Sequence, residues 1–199
     1  MVASETQEIL IPHDLNRGPI TTVRRLLVHS SIAEIKQLGL YEHYREHIAP
    51  ASLTRILELI GPGSMPVELA LEHYRACDKL EISDRETQAV GKRAGERMQG
   101  LLLVTQKGAE TAPWSMLGAV SRVGERLYDG GSSQYVRLGP KRLSIERMGN
   151  PFFSVRYFRI AHKGFLREMF GRLGLRKVEA QLSEYHSDKA RILIELTWQ

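Results

Sequence analysis

The chain has 199 residues, of which 42% are hydrophobic and 26% charged, a composition typical of a globular protein with one substantial core. Its formal net charge is +5 and it has one cysteine, which excludes an intramolecular disulfide and a metal cluster built from cysteines alone. The longest apolar run, Leu101 to Val104, is too short to cross a bilayer, and the polar stretch Ala3 to Glu8 lacks the features of a signal peptide. We therefore predict a cytoplasmic protein without a membrane span.

The N-terminal part of the chain divides into an arm and a helical half. Residues 1–18 contain Pro12 and Gly18 and show no periodicity, which predicts a flexible arm. Over residues 19–133, apolar side chains recur at helical spacing between glycine and proline breaks. The predicted helices are Ile20 to Gln37, Leu40 to Ile48, Ser52 to Ile60, and three more that start at Pro66, Asp84 and Pro113.

The helix that starts at Asp84 has two local signals. Ser83 and Glu86 have the spacing of a capping box, in which each residue bonds the backbone amide of the other. Gly91 and Gly95 each cost about 1 kcal/mol relative to alanine in a helix interior. We therefore predict that another helix approaches this one closely at the glycines.

The C-terminal part, residues 134–199, has a different period and a different charge. It carries 13 basic and 6 acidic side chains, against 15 and 17 in residues 1–133. Leu143 and Ile145 alternate with polar residues, which is typical of a strand with one solvent-exposed face. The predicted order is strand, strand, helix, strand, strand, with strands at Tyr135 to Leu138, Arg142 to Glu146, Val178 to Leu182 and Ile192 to Trp198, a helix at Val155 to Leu173, and a turn at His186 to Lys189.

The predicted architecture is an α+β fold in which the helical N-terminal half packs on a C-terminal antiparallel sheet. A helix covers one face of this sheet, and residues 19–199 form a single compact unit.

Two pairs of possible metal ligands occur at helical spacing. His43 and His47 are four residues apart, as are His73 and Cys77, so each pair could present two donors from one side of a helix. His73 and Cys77 lie on the apolar face of their helix, where a core histidine and a small hydrophobic residue are ordinary. We predict no metal site and no cofactor.

Cys77 is also the one nucleophile that the sequence nominates. Burial raises the pKa of a cysteine thiol and makes it inert. Because no residue is nominated for general acid or base work, we do not expect an enzyme, although residues distant in sequence can form an active site without leaving a motif.

Aromatic and basic side chains alternate at the start of the Val155 to Leu173 helix. Burial against the sheet accounts for most of the aromatic residues, and the alternative is a cavity between the helix and the sheet that binds a small apolar anion. The predicted ligand-binding residues are Trp114, Arg156, Tyr157, Phe158, Arg159 and His162.

A second hypothesis follows from the positive charge of residues 134–199. A basic sheet could bind nucleic acid or an acidic protein partner, and such binding would depend steeply on salt. The contacts predicted under this hypothesis are Arg137, Lys141, Arg142 and Arg147. Because no recognition motif accompanies the charge, we rank this hypothesis below the ligand cavity.

The second half of the chain also resembles a known group of proteins. The pattern consists of single glycines, aromatic residues and basic residues at Trp114, Gly130, Gly131, Gly139, Pro140, Lys141, Tyr157, Phe158, Arg159, Gly164 and Trp198. Over residues 64–199 it resembles an uncharacterised family of bacterial proteins and, through it, the 4-vinyl-reductase-like and haem-nitric-oxide-binding-associated small-ligand domains.

This resemblance implies packed helices capped by an antiparallel sheet, used to bind small hydrophobic or porphyrin-like molecules or to mediate assembly. Separately, the glycines within the predicted helices lead us to expect a homodimer. The sequence departs from the group in two respects. It lacks the cysteine and histidine sets of metal-binding members, and it lacks the tyrosine, serine and arginine triplet that binds haem in haem-based gas sensors. We therefore expect a non-enzymatic, sensor-like domain without haem.

Overall fold

The computed structural model describes residues 7–97, 114, 117–183 and 185–199. The apolar run Leu101 to Val104 and the helix start predicted at Pro113 lie outside these residues. Within them the chain forms seven α-helices and eight strands. No helix among the described residues combines the length and apolar character that a membrane crossing requires.

The described residues of the helical half form six α-helices and a small sheet. The helices are α1 (Arg25–Gln37), α2 (Tyr41–His47), α3 (Pro50–Glu58), α4 (Val67–Asp78), α5 (Asp84–Arg97) and α6 (Leu117–Leu127). The short strands β2 (Thr22–Arg24), β3 (Ser64–Pro66) and β4 (Tyr128–Asp129) pair in the order β3-β2-β4.

The first predicted helix was wrong at its start. The prediction began at Ile20, but the helix begins at Arg25, because residues 22–24 form β2. Val23, at the centre of β2, is fully buried and pairs with Met65 on one side and Tyr128 on the other. These partners are distant in sequence, so the tertiary pairing overrides the local helical pattern.

The capping box at the start of α5 is confirmed. The backbone amide of Glu86 donates to the Ser83 hydroxyl at 3.3 Å, and the backbone amide of Ser83 donates to the Glu86 carboxylate at 3.3 Å. At the other end of α5, Arg93 and Arg97 both bind the carboxylate of Glu34, a fully buried residue of α1. This ion pair cluster fixes α5 against α1.

The C-terminal half confirms the predicted α+β fold. It consists of β5 (Ser132–Gly139), β6 (Arg142–Met148), α7 (Arg156–Arg172), β7 (Glu179–Leu182) and β8 (Ile192–Thr197). With β1 (Glu8–Ile11) these strands form an antiparallel five-stranded sheet in the order β1-β5-β6-β8-β7. One face of the sheet is buried through side chains such as Tyr135, Ile145 and Ile194.

The presence of β1 corrects the prediction of a flexible arm for part of residues 1–18. Residues 8–11 pair with β5, with Glu8 opposite Arg137 and Ile9 opposite Val136. His13 follows β1 and binds Ser132 on β5 at 2.9 Å and Glu146 on β6 at 3.1 Å. These contacts are long-range, and no local periodicity could have indicated them.

Helices α5 and α7 touch backbone to backbone. A β-carbon added to Gly91 would lie 1.7 Å from the carbonyl oxygen of Ala161, and one added to Gly164 would lie 1.9 Å from that of Gln88. Neither distance is sterically possible, so glycine is required on both helices. The close approach predicted from the glycines of α5 is therefore confirmed, and its partner is α7.

We predict that Gly91→Ala and Gly164→Ala each lower the free energy of unfolding by about 1–3 kcal/mol or more, because the new methyl group meets backbone that cannot move aside. Urea unfolding measures the change. Gly171→Ala is the matched control, since nothing lies within 4 Å of its added β-carbon. Equal stability of the Gly91 and Gly171 variants would contradict this account of the packing.

Candidate functional site

The start of α7 lies in the interior. The Asp78 carboxylate, at the end of α4, accepts a hydrogen bond of 2.8 Å from the backbone amide of Tyr157 and so caps α7 from a neighbouring helix. The Tyr157 hydroxyl is 2.8 Å from the Ser31 hydroxyl on α1. Phe152 and Phe153 precede α7 and pack on the ring of Phe158 at 5.3 and 5.2 Å between centroids.

Three of the six predicted ligand-binding residues come together here. Tyr157, Phe158 and His162 line a cavity of about 50 Å³ beside Tyr74 of α4 and Gly91 of α5. Sites for organic ligands have volumes of about 300–1,000 Å³. This cavity is too small for such a ligand, and it lies between α7 and the helices α1, α4 and α5, not between α7 and the sheet as predicted.

The other three predicted residues lie elsewhere. Arg156 forms an ion pair with Asp84 at the surface, and Arg159 donates to the carbonyl of Phe153 at 2.7 Å. Trp114 packs on Trp198 at 5.4 Å. The structure therefore does not assemble the six residues into one pocket.

The pair His43 and His47 and the pair His73 and Cys77 do not come together in a metal centre. His43 and His47 pack edge to face on the surface of α2, with 4.7 Å between their ring centroids. His73 is fully buried, with its Nδ1 2.9 Å from the Tyr44 hydroxyl and its ring beside Cys77. Burial raises the pKa of the Cys77 thiol, as predicted, and lowers that of His73 to about 3. No cluster of three or more metal-binding side chains occurs among the residues described.

Arg147 is the most unusual polar residue of the interior. It lies on β6, the central strand of the sheet, and points to the same face as the buried Leu143 and Ile145. Only 7% of its surface is exposed, and its Nε has no hydrogen-bond partner among the described residues. A buried cation without a partner is costly, because desolvation is not offset.

A polar cavity of about 70 Å³ adjoins this guanidinium. Its walls come from the segment after β1, from α6 and from β5, and they include Arg17 and the hydroxyl residues Ser121, Ser132 and Ser133. Asp14 and Glu125 also line the cavity, but neither forms an ion pair with Arg147. A cavity of about 10–15 Å³ already holds one water molecule, so this one has room for a small anion.

A second unpartnered polar atom lies on the other side of Arg147. His162 Nε2 is buried without a hydrogen-bond partner among the described residues, and both side chains line a cavity of about 10 Å³ under α6. Burial first, and then the nearby Arg147 charge, lower the pKa of His162 well below its usual value. His162 is thus neutral, and Arg147 is the cation of this cluster.

The four residues predicted to bind nucleic acid or an acidic partner do not form one basic surface. Arg147 is buried, which corrects its expected position. Arg137 stacks on Trp114 and pairs with Glu8 at 3.6 Å, and Arg142 pairs with Glu195 at 2.9 Å. Lys141 is exposed at the turn between β5 and β6.

The burial of Arg147 could have been predicted. Alternation along β6 places residues 143, 145 and 147 on one face, so the pattern that buries Leu143 and Ile145 also points Arg147 inward. The sequence-based prediction instead placed Arg147 on a basic surface, because residues 134–199 carry a net positive charge. The cavity walls that come from Ile11 to Arg17 had no such signal.

Comparison with known proteins identifies the fold. The chain matches no family profile and no curated protein. It does match solved structures of H-NOX (heme nitric oxide/oxygen binding) proteins. An Fe(II) unliganded variant from K. algicida is 11% identical, with a TM-score of 0.63 over 88% of this chain and 96% of that one.

Two further matches agree. A Cs H-NOX variant that contains 4-cyano-L-phenylalanine is 10% identical, with a TM-score of 0.60 over 88% of this chain and 96% of that one. An H-NOX structure solved to probe heme distortion is 10% identical, with a TM-score of 0.59 over 87% and 93%. At such identities the likeness shows the fold alone. The resemblance predicted from the sequence is confirmed, and the chain has an H-NOX-like α+β fold.

The names of these structures refer to heme, but the described interior does not fit that group. The cavities beside His162 have volumes of about 50 and 10 Å³, whereas sites for organic ligands have volumes of about 300–1,000 Å³. His73 is bonded to Tyr44. On the surface, a groove of about 660 Å³ carries His29, whose Nε2 is 3.1 Å from the carbonyl oxygen of Leu59.

We predict that hemin added to the purified protein gives no saturable one-to-one change in the Soret band, because the interior that would enclose a tetrapyrrole is filled by aromatic side chains. Absorption titration of the wild-type protein and of His162→Ala checks this, and the two curves should coincide. A sharp one-to-one endpoint that His162→Ala abolishes would contradict the poor fit.

The neutral His73 predicts how stability depends on pH. Its pKa is about 3 in the folded protein and about 6.5 when unfolded, so between these values the unfolded state binds the additional proton. The free energy of unfolding therefore falls as pH drops below about 6.5. His73→Gln should reduce this slope by up to about 1.4 kcal/mol per pH unit in urea titrations. The surface substitution His43→Gln is the control, and an unchanged slope in His73→Gln would contradict the prediction.

Proposed function

We propose that this protein is a non-enzymatic, sensor-like domain that binds a small anion at Arg147. The observation that carries the proposal is a buried guanidinium that has no acceptor for its Nε among the described residues and that faces a polar cavity of about 70 Å³. A carboxylate or phosphate oxygen would accept the unused hydrogen bonds and neutralise the charge.

The surroundings of Arg147 support an anion over a neutral ligand. Arg17, which also lines the cavity, donates to the carbonyl oxygen of Tyr128 at 3.4 Å, and the two arginines together offset the Asp14 and Glu125 carboxylates in the walls. Of the three serines in the walls, Ser121 donates to Glu125 at 3.4 Å and Ser132 lies 2.9 Å from His13 Nδ1, which leaves the Ser133 hydroxyl to bind an anion. The charged and hydroxyl side chains in the walls favour a small hydrophilic anion over the apolar one that the sequence suggested.

The buried histidine beside Arg147 and the buried thiol of the interior are unsuited to act as a base and a nucleophile. His162 is held neutral by burial and by Arg147, and the Cys77 thiol, whose pKa is raised by burial, lies on a different helix. The fold is also that of proteins whose names refer to gas binding through heme. Small-ligand binding without turnover is the shared feature that we extend to this chain.

We predict that acetate or inorganic phosphate, added at constant ionic strength, stabilises the wild-type protein. At about ten times the dissociation constant the free energy of unfolding should rise by about 1.4 kcal/mol. Arg147→Met should abolish this gain. In the absence of added anion the same variant should be at least as stable as the wild type, since it removes an unpaired buried charge.

Arg142→Gln, on the same strand, is the matched control and should keep the response to anions. A titration followed by the Nε–H resonance of Arg147 in a ¹H–¹⁵N spectrum locates the site directly. The proposal is wrong if Arg147→Met responds to acetate and phosphate as the wild type does, or if neither anion stabilises either protein.

A further inference from the structure

A groove of about 660 Å³ opens on the surface between α1, α3 and the end of α6. Its walls are mainly apolar and include Leu26, Leu57, Ile60 and Leu127, with residues 61–63 forming one rim. It is far larger than the cavities around Arg147, and of its lining residues only Leu127 also lines one of them, the cavity of about 10 Å³. The groove is therefore a separate feature of the molecule.

The apolar side chains of this groove are unusually exposed. Ile60 is 82% exposed, Leu26 43% and Leu57 40%, and these three account for most of the large hydrophobic residues at the described surface. Contiguous exposed apolar side chains on a soluble protein mark an interaction site. A small ligand inside the groove would leave Ile60 at the rim in water, whereas a partner that extends beyond the groove would cover it.

The charge of the groove is entirely positive. Arg24 and Arg126 flank it, joined by a hydrogen bond of 2.9 Å from Arg24 Nε to the Arg126 carbonyl oxygen. Neither guanidinium forms an ion pair with a described carboxylate, and no acidic residue lines the groove. Acidic side chains on the partner would complement this pattern.

These features disfavour a second copy of the chain as the occupant. In a twofold dimer the same patch serves both subunits, so Arg24 and Arg126 of one copy would face the same cations of the other. An amphipathic helix has the required shape, since its apolar side chains at i, i+3, i+4 and i+7 fill a groove while its flanks carry charge.

We propose that the groove is the docking site for an acidic amphipathic helix of a partner protein. The helix places its apolar stripe on Leu26, Leu57 and Ile60, and its glutamate or aspartate flank on Arg24 and Arg126. This surface is separate from the anion site at Arg147.

The test uses a fluorescent synthetic peptide of about 15 residues, long enough to form a helix, with leucines at i, i+3, i+4 and i+7 and glutamates on both flanks. A second peptide has lysines in place of the glutamates. Anisotropy should show saturable binding of the glutamate peptide and no binding of the lysine peptide. Ile60→Ser and the double variant Arg24→Glu, Arg126→Glu should each weaken binding by about tenfold or more.

Charge reversal gives a readout that misfolding cannot imitate, because the double variant should bind the lysine peptide instead. Leu15→Ser, at a side chain that is 80% exposed outside the groove, and Arg176→Glu are the matched controls. The proposal is overturned if the glutamate peptide fails to bind or binds the groove variants unchanged. Complete displacement of the peptide by dodecanoate, with loss at the same variants, would identify a lipid-like ligand and also overturn it, as would a dimer that Ile60→Ser dissociates.

Discussion

The backbone contact between α5 and α7 is the constraint on which the rest of the structure depends. Two glycines, Gly91 and Gly164, allow the helices to approach so closely that each touches a carbonyl of the other. Because α5 is also tied to α1 through the buried Glu34 and its two arginines, the contact joins the helical half to the helix that covers the sheet. The two halves consequently share one continuous core.

The interior around α7 leaves little room for a ligand. An H-NOX-like arrangement of helices and sheet is retained at 10–11% identity, yet aromatic rings and the adjoining helices leave cavities of only about 50 and 10 Å³ near His162. Instead, within the described part of the chain, the buried side chain that both lacks a hydrogen-bond partner for its Nε and faces a cavity with charged walls is Arg147. The same fold is thus compatible with a large prosthetic group in one sequence and with a filled core in another, because packing, not topology, sets the volume.

Sequence patterns predicted those features that depend on neighbours along the chain. The capping box of Ser83 and Glu86, the close approach at Gly91 and the strand around Ile145 were all correctly predicted, since each is encoded by local spacing. The pairing of Val23 with Met65 and Tyr128 was not, because it joins segments far apart. At the site, the aromatic residues of α7 were found, but the arginine that faces a cavity is Arg147 of the sheet.

The strand β1 has a consequence for association between molecules. Its pairing with β5 occupies backbone groups that would otherwise form the exposed margin of the sheet, and such a margin is a template for adding a strand from another chain. β1 is only four residues long, and its register with β5 shifts between Ile9 and Ile11. A short and irregular strand is a poor template for pairing with a strand of another chain. β1 therefore protects this edge of the sheet from pairing with another chain.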